Sequence, residues 1–173
     1  TEEFSSGVSP FAAWSTGGSL GTAITYLTGA GTQTAGLSIG GDLTAATEEY
    51  NGTAWTAGGA LPAAKRQLAS AGLQTSALAF GGMFPFSAAT YEYDGSSWAT
   101  GGSLGTARYS LAGCGTQTAG LGFGGYAPGA NSNSTEEYNG TAWTGGGNMG
   151  TARRVLAGAG TQTAGLAFGG QIA

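Results

Sequence analysis

Thr135-Glu136-Glu137-Tyr138-Asn139-Gly140-Thr141-Ala142-Trp143, followed by Gly160-Thr161-Gln162-Thr163-Ala164-Gly165-Leu166-Ala167-Phe168-Gly169-Gly170, carries the pattern from which the rest of the chain can be read. The opening unit returns as Thr47–Tyr50, as Thr90-Tyr91-Glu92-Tyr93 and as Thr1-Glu2-Glu3-Phe4, so repeats start at positions 1, 47, 90 and 135. A tryptophan follows in each copy: Trp14, Trp55, Trp98 and Trp143. A leucine lies 23 residues beyond each tryptophan, at Leu37, Leu78, Leu121 and Leu166, and a glycine pair lies 26 and 27 residues beyond it. Four copies with one internal spacing exclude chance. A fixed period of this length marks a repeat architecture.

Each copy divides into four short strands, a to d in the order that starts after a tryptophan link. Strand a is a run of small residues such as Val155–Ala159, and strand b is a run such as Ala164–Phe168. The Gly-Thr-Gln-Thr link of Gly160–Thr163 joins them, and it recurs at Gly31–Thr34 and Gly115–Thr118, with Leu73 replacing Thr in Gly72–Thr75. Strand c is the Thr-Glu-Glu-Tyr unit and strand d carries the tryptophan. Between c and d stand Asn51-Gly52, Asp94-Gly95 and Asn139-Gly140, pairs that favour a tight type I′ hairpin. Runs of about five residues bounded by glycine fit strands rather than helices. Length varies only between b and c (Asp42–Ala46, Met83–Ala89, Tyr126–Ser134) and in the first copy at Ser5–Ala13. Insertions of that kind belong to surface loops.

Composition agrees with a folded, all-β chain. Of 173 residues, 36 are Gly and 8% are charged, while 40% are hydrophobic and 10% aromatic. Disordered chains show high charge and few aromatics instead, and collagen would need a Gly-X-Y period that is absent. The net charge is −4 with only five cations, Lys65, Arg66, Arg108, Arg153 and Arg154. That excludes the basic stripe that nucleic-acid binding requires and disfavours an anionic membrane surface. Gly, Thr and Gln interrupt every apolar run, so no membrane-spanning stretch occurs and no membrane insertion is expected. The chain has no His and one Cys, which removes the commonest general base, most transition-metal sites and any internal disulfide. No cofactor or metal is expected.

The segments Tyr93-Asp94-Gly95-Ser96-Ser97-Trp98, Leu104 to Arg108 and Leu121-Gly122-Phe123-Gly124-Gly125 follow the order tyrosine, tryptophan, arginine, double glycine, and in this the chain resembles the Kelch family over nearly its whole length. The interval from tyrosine to tryptophan is one residue shorter than in that pattern, and the loops are richer in Gly and Thr. The wording TEEYNGTAW followed by GTQTAGLAFGG is similar to the Kelch-like repeats of phage tail-fibre and virion proteins, particularly of marine phages. The resemblance implies one β-propeller domain over residues 1–173, built from four-stranded antiparallel blades. It implies a non-enzymatic structural or recognition module of a virion, extracellular, whose partners are other virion proteins or a host-surface glycan or protein. A secreted or cell-surface lectin-like propeller of a bacterium is the alternative. A homo-oligomer is compatible with either.

The sequence starts in strand c and its last repeat segment is an a-b pair. A four-bladed ring would result if the N-terminal c-d strands paired with the C-terminal a-b strands, which removes an exposed sheet edge. The alternatives are a longer array of which these copies are part, or a larger ring completed by several chains.

The candidate functional residues sort by whether they obey the repeat. Trp14, Trp55, Trp98 and Trp143, with Tyr50, Tyr93 and Tyr138, recur at one position in each copy and are expected to pack between blades as core. The acidic pairs Glu2-Glu3, Glu48-Glu49 and Glu136-Glu137 lie in strands, where adjacent side chains point to opposite faces. A structural contact between the column Glu2, Glu48, Tyr91, Glu136 and the column Ile24, Lys65, Arg108, Arg153 is expected between blades. Cys114 aligns with Ala30, Ala71 and Ala159, as a small buried thiol would. No catalytic residue is assigned. What breaks the repeat is the b-c loops, expected on one face with the d-a links. They carry Phe84, Phe86, Tyr126, Asn131 and Asn133, suited to contacting a glycan or protein. Phe11, in the insertion of the first copy, is a further candidate contact on the opposite face.

Overall fold

The structure, a computed structural model, describes residues 1–5, 13–42 and 44–172. Phe11 and most of the Ser5–Ala13 insertion lie outside the described residues. Strands β1 (Glu2–Ser5) and β2 (Ala13–Thr16) form a hairpin. A four-stranded sheet follows, made of β3 (Thr28–Thr32), β4 (Ala35–Ile39), β5 (Thr47–Tyr50) and β6 (Trp55–Ala57). The second four-stranded sheet comprises β7 (Arg66–Leu73), β8 (Ser76–Met83), β9 (Thr90–Tyr93) and β10 (Trp98–Thr100). In the third repeat, β11 (Ala112–Gly115) and β12 (Gly120–Phe123) are followed by a small hairpin, β13 (Tyr126–Ala127) with β14 (Ala130–Asn131). That hairpin sits in the loop leading to β15 (Thr135–Tyr138) and β16 (Trp143–Gly145), which complete the third four-stranded sheet. Strands β17 (Arg154–Gly160) and β18 (Gly165–Gln171) end the described chain as a hairpin. All pairing is antiparallel, and no helix occurs among the described residues.

The register repeats as the spacing does. The second and third strands of each sheet place Gly36 opposite Tyr50, Ala77 opposite Tyr93 and Gly120 opposite Tyr138. The turns between third and fourth strands differ from the expected type I′ form. Four residues separate Tyr50 from its partner Trp55, and only the glycine of each pair takes a left-handed φ (Gly52 86°, Gly95 90°, Gly140 89°). The asparagine holds the loop instead. Asn51 Oδ1 accepts from the Thr53 and Ala54 amides, and Asn139 does the same for Thr141 and Ala142. Asp94 performs this task with Ser96 and Ser97, and those bonds hold its carboxyl down at about 2.

Neighbouring sheets are joined by one set of contacts used three times. The tyrosine of each third strand donates its hydroxyl to a glutamate of the sheet before it: Tyr50 to Glu3, Tyr93 to Glu49, Tyr138 to Glu92. Each fourth-strand indole donates to the threonine that opens the preceding third strand, Trp55 to Thr1, Trp98 to Thr47 and Trp143 to Thr90. The glutamine of the Gly-Thr-Gln-Thr link reaches back to two carbonyls, Gln117 to Ala77 and Tyr93, for example. The double glycine reaches forward: the amides of Gly41, Gly82 and Gly125 donate to the carbonyls of Lys65, Arg108 and Arg153. A Cβ on Gly81, at φ 74°, would lie 2.6 Å from the Arg108 carbonyl oxygen, so the site needs glycine both for its conformation and for its closeness. Between the sheets lie the apolar clusters, centred on Tyr93 and Trp98, on Phe80 and Tyr138, and on Leu121 and Phe123.

One pairing expected from the sequence is not made among the described residues. Strands β1–β2 and β17–β18 form two separate two-stranded sheets, so the N-terminal pair does not complete the C-terminal one within the chain. The physical reason lies in the joints. Residues Tyr26, Gln67, Ser110 and Val155 share a left-handed backbone at the entry to each first strand. Their amides and carbonyls form a staircase from Gln67 to Tyr26, Ser110 to Gln67 and Val155 to Ser110. The staircase does not return from the Tyr26 amide to Val155. Although the first strands of all four repeats line a common cleft, the hairpins at the two ends remain separate sheets. The expected burial of Trp14 is lost with that pairing, and this indole is 67% exposed. By contrast, Tyr50, Tyr93, Tyr138 and Trp98 are buried, and Trp55 and Trp143 are partly buried.

Candidate functional site

The loops between second and third strands and the links leading to the next sheet share one face, tied by backbone bonds from Leu61 to Ala45, Leu104 to Ala88 and Met149 to Asn133. On that face the residues that break the repeat are brought together. Phe86 packs edge-on against Tyr109, with ring centroids 5.1 Å apart and the planes at 69°. Tyr126 lies 5.4 Å from Tyr109 and 6.3 Å from Phe86, and Tyr109 and Tyr126 also exchange backbone hydrogen bonds. The Arg154 guanidinium sits 4.9 Å from the Tyr126 ring. Nearby, Arg66 lies 4.3 Å from the Phe84 ring and 5.2 Å from that of Tyr26. Such stacking leaves guanidinium edges free for hydrogen bonds while its faces are covered.

Two clefts flank Arg154. One, of about 300 Å³, is bounded by Gln67, Met83, Tyr109 and Gln171; the other, of about 330 Å³, by Tyr126, Gly129 and Asn131. Both fall at the small end of the range for small-molecule sites. Asn131 donates to the Gln171 carbonyl at 3.1 Å, and Arg154 Nε donates to Gln171 Oε1 at 3.2 Å. Asn133 is a different case. Its amide donates to the Met149 carbonyl at 3.1 Å, so it braces the link to β17 and is not aligned with the aromatic cluster. Of the sequence candidates, Phe86, Tyr126 and Asn131 therefore fall around Arg154, and Phe84 stands against Arg66. Tyr26, Arg66, Tyr109 and Arg154 were missed by sequence reasoning. Three of those were legible in principle, because Thr25, Arg66, Tyr109 and Arg154 occupy one column of the repeat that holds three different residue types in four copies.

Where the two charged columns meet, at Arg108 and Glu136, the contact lies within one sheet and not between neighbouring sheets. Arg108, fully buried, donates to the Gly124 and Ser134 carbonyls and pairs with Glu136 at 2.8 Å. Glu136 also accepts the Gly105 amide. Burial pulls the Arg108 guanidinium below its ordinary value, and the Glu136 carboxylate opposes that pull. Lys65 meets the Phe84 carbonyl, since Tyr91 stands in the glutamate column, and Arg153 meets the Gly169 carbonyl. Asp42 accepts both the hydroxyl and the amide of Thr25, which lowers its carboxyl. Cys114 is buried and its thiol is pushed up by that burial. Among the described residues no group of three or more His, Cys, Asp or Glu is placed to hold a metal ion.

No protein-family model matches the chain, and no curated protein matches its sequence.

Proposed function

We propose that the sheets are blades of a Kelch-like β-propeller, and that the chain is a non-enzymatic recognition module of a phage virion, a tail fibre or surface decoration. It engages a host-surface glycan or protein, or another virion part, through the loops between second and third strands. One observation carries the reading: the loops that depart from the repeat build two aromatic–arginine clusters, Phe86, Tyr109 and Tyr126 with Arg154, and Phe84 and Tyr26 with Arg66. Aromatic faces stack on sugar rings or apolar side chains, and guanidinium edges bind hydroxyls or carboxylates. In all four repeats the first strands reach a common cleft through Gly29, Ser70, Gly113 and Gly158, an arrangement that suits blades set about one centre. Glycan-array binding of the chain against Phe84→Ala and Tyr126→Ala tests recognition. The expected outcome is binding that falls at least about tenfold in each variant, the weight of one well-packed aromatic contact. Unchanged binding in both variants would overturn the assignment of this face. Mass spectrometry of purified virions tests the setting, and absence of the chain from virions of the phage encoding it would overturn that part.

A further inference from the structure

We infer that the half-sheet β17–β18 is completed by the β1–β2 hairpin of a second copy of this chain, joined head to tail. The register is already specified. In each full sheet the second strand pairs with the third in one offset, and the same offset places Gly165 opposite Phe4, Leu166 opposite Glu3 and Ala167 opposite Glu2. Several of the recurring contacts are half-made at the two ends. Gln74, Gln117 and Gln162 each hold two carbonyls, whereas Gln33 holds only that of Phe4; the vacant position corresponds to the Gly165 carbonyl. Arg108 binds the Gly124 carbonyl and Glu136. Arg153 binds the equivalent Gly169 carbonyl, and the residue in the place of Glu136 is Glu2. The counterpart of Trp14 Nε1's missing acceptor is Thr135. A Cβ on Gly124 would meet the Arg153 carbonyl at 2.8 Å, while one on Gly169 meets nothing within 4 Å.

Apolar surface points to the same joint. Leu78 and Phe80 are fully buried, but their equivalents Leu166 and Phe168 are 61% and 48% exposed. The chain's own β1–β2 hairpin is engaged next to β3–β6, held there by the Tyr50–Glu3, Trp55–Thr1 and Gln33–Phe4 bonds. A second copy brings the same hairpin to β18 without disturbing those bonds. Two copies joined reciprocally make eight sheets and leave no open edge at either joint, and eight is within the range known for closed rings of such sheets. The joint lacks one internal contact, because Phe4 has no hydroxyl for Glu137. It is therefore weaker than the joints inside the chain, and assembly depends on concentration.

Light scattering with native mass spectrometry reads the joint directly. The wild-type chain is expected at about twice 16.8 kDa in the micromolar range and at the single-chain mass on dilution. Glu2→Arg alone and Arg153→Glu alone each set like charges against one another at every joint, which is expected to weaken assembly at least about tenfold. Mixed in equal amounts, the two variants restore opposite charges at both joints, and the double mass returns. Only a joint between chains predicts that rescue. Trp14→Ala, at an exposed position, is the second variant, and it weakens assembly while leaving the circular dichroism spectrum unchanged. A wild-type chain that keeps the single-chain mass at every concentration overturns the proposal, including the case in which β1 has folded back onto its own β18. So does a mixture that gains no mass, or a Trp14→Ala chain that assembles as wild type.

Discussion

The second sheet, β7–β10, and the terminal hairpin, β17–β18, are written in nearly the same words and meet opposite fates. Ser76-Ala77-Leu78-Ala79-Phe80 and Ala164-Gly165-Leu166-Ala167-Phe168 share their apolar positions. In the first the leucine and phenylalanine are fully buried; in the second both are exposed. The difference is supplied by the neighbour. Phe80 has the Trp143 ring 4.7 Å away and the backbones of Gly113 and Gly122 against it, all from the next sheet. Phe168 has no next sheet against it among the described residues. Burial here is a property of the interface between repeats, as expected where each unit contacts only its neighbours.

The largest effect expected from that comparison is at the phenylalanines. Phe80→Ala should cost about 3–5 kcal/mol, the usual loss for a fully buried aromatic with rigid walls. Phe168→Ala, measured in dilute chain where its face is open, should cost less than about 1 kcal/mol. Urea unfolding of both variants checks this, with the shift in midpoint at constant slope as the readout. Equal costs at the two positions would mean that the terminal hairpin is covered by something in the dilute chain.

A smaller effect separates the interior joints from the open ones by pH. The Tyr93 and Tyr138 phenols are pushed up to about 12, first by burial and then by the carboxylates of Glu49 and Glu92 that accept their hydroxyls. An unfolded phenol titrates near 10. Between pH 10 and 12 the unfolded chain therefore releases protons that the folded chain retains, and folding loses ground as pH rises. The stabilisation is complete below pH 10 and fades up to about 12. Tyr93→Phe should lower stability near neutral pH by about 1.5–3 kcal/mol, the range for a hydrogen bond to a charged group. It should also make the alkaline decline shallower. Thermal unfolding from pH 8 to 12 would show both changes, and an alkaline decline as steep as that of the wild type would contradict the assignment.

What the sequence encodes legibly follows the same division between local and cumulative effects. The four-stranded unit was legible because Trp, Leu and Gly-Gly spacing reports contacts made within one repeat or with the next. The turn at Asn51-Gly52 was misjudged because its geometry depends on the Asn51 side chain capping Thr53 and Ala54, a bond that competes with the two-residue loop. The separation of β1–β2 from β17–β18 was not legible, because neighbouring sheets are joined by Tyr–Glu, Trp–Thr and Gln–carbonyl bonds whose partners lie 24 to 54 residues apart. The recognition surface was half legible. Phe84, Phe86 and Tyr126 stand out as loop residues, whereas Arg66 and Arg154 sit at strand entries and acquire meaning only when the rings beside them are known.

The smallest effect expected compares two residues in the staircase of left-handed positions. Gln67 at φ 58° and Val155 at φ 54° have the same backbone conformation, and each donates its amide to the carbonyl of the previous repeat. The backbone role is the same, but the side chains are not. A β-branched residue in the left-handed region is an outlier, and the conformation costs about 1–2 kcal/mol for residues with a Cβ, less for asparagine. Val155 is also exposed, so little packing offsets the strain. Val155→Asn should therefore stabilise the dilute chain by about 1 kcal/mol, visible as a higher urea midpoint. Gln67→Asn should not, because Gln67 Nε2 donates to Ser110 Oγ at 3.0 Å and the shorter side chain gives up that bond for a similar gain in backbone ease. If Val155→Asn were destabilising, the valine would have to be packed against something in solution, and the open face at β17 would be occupied there.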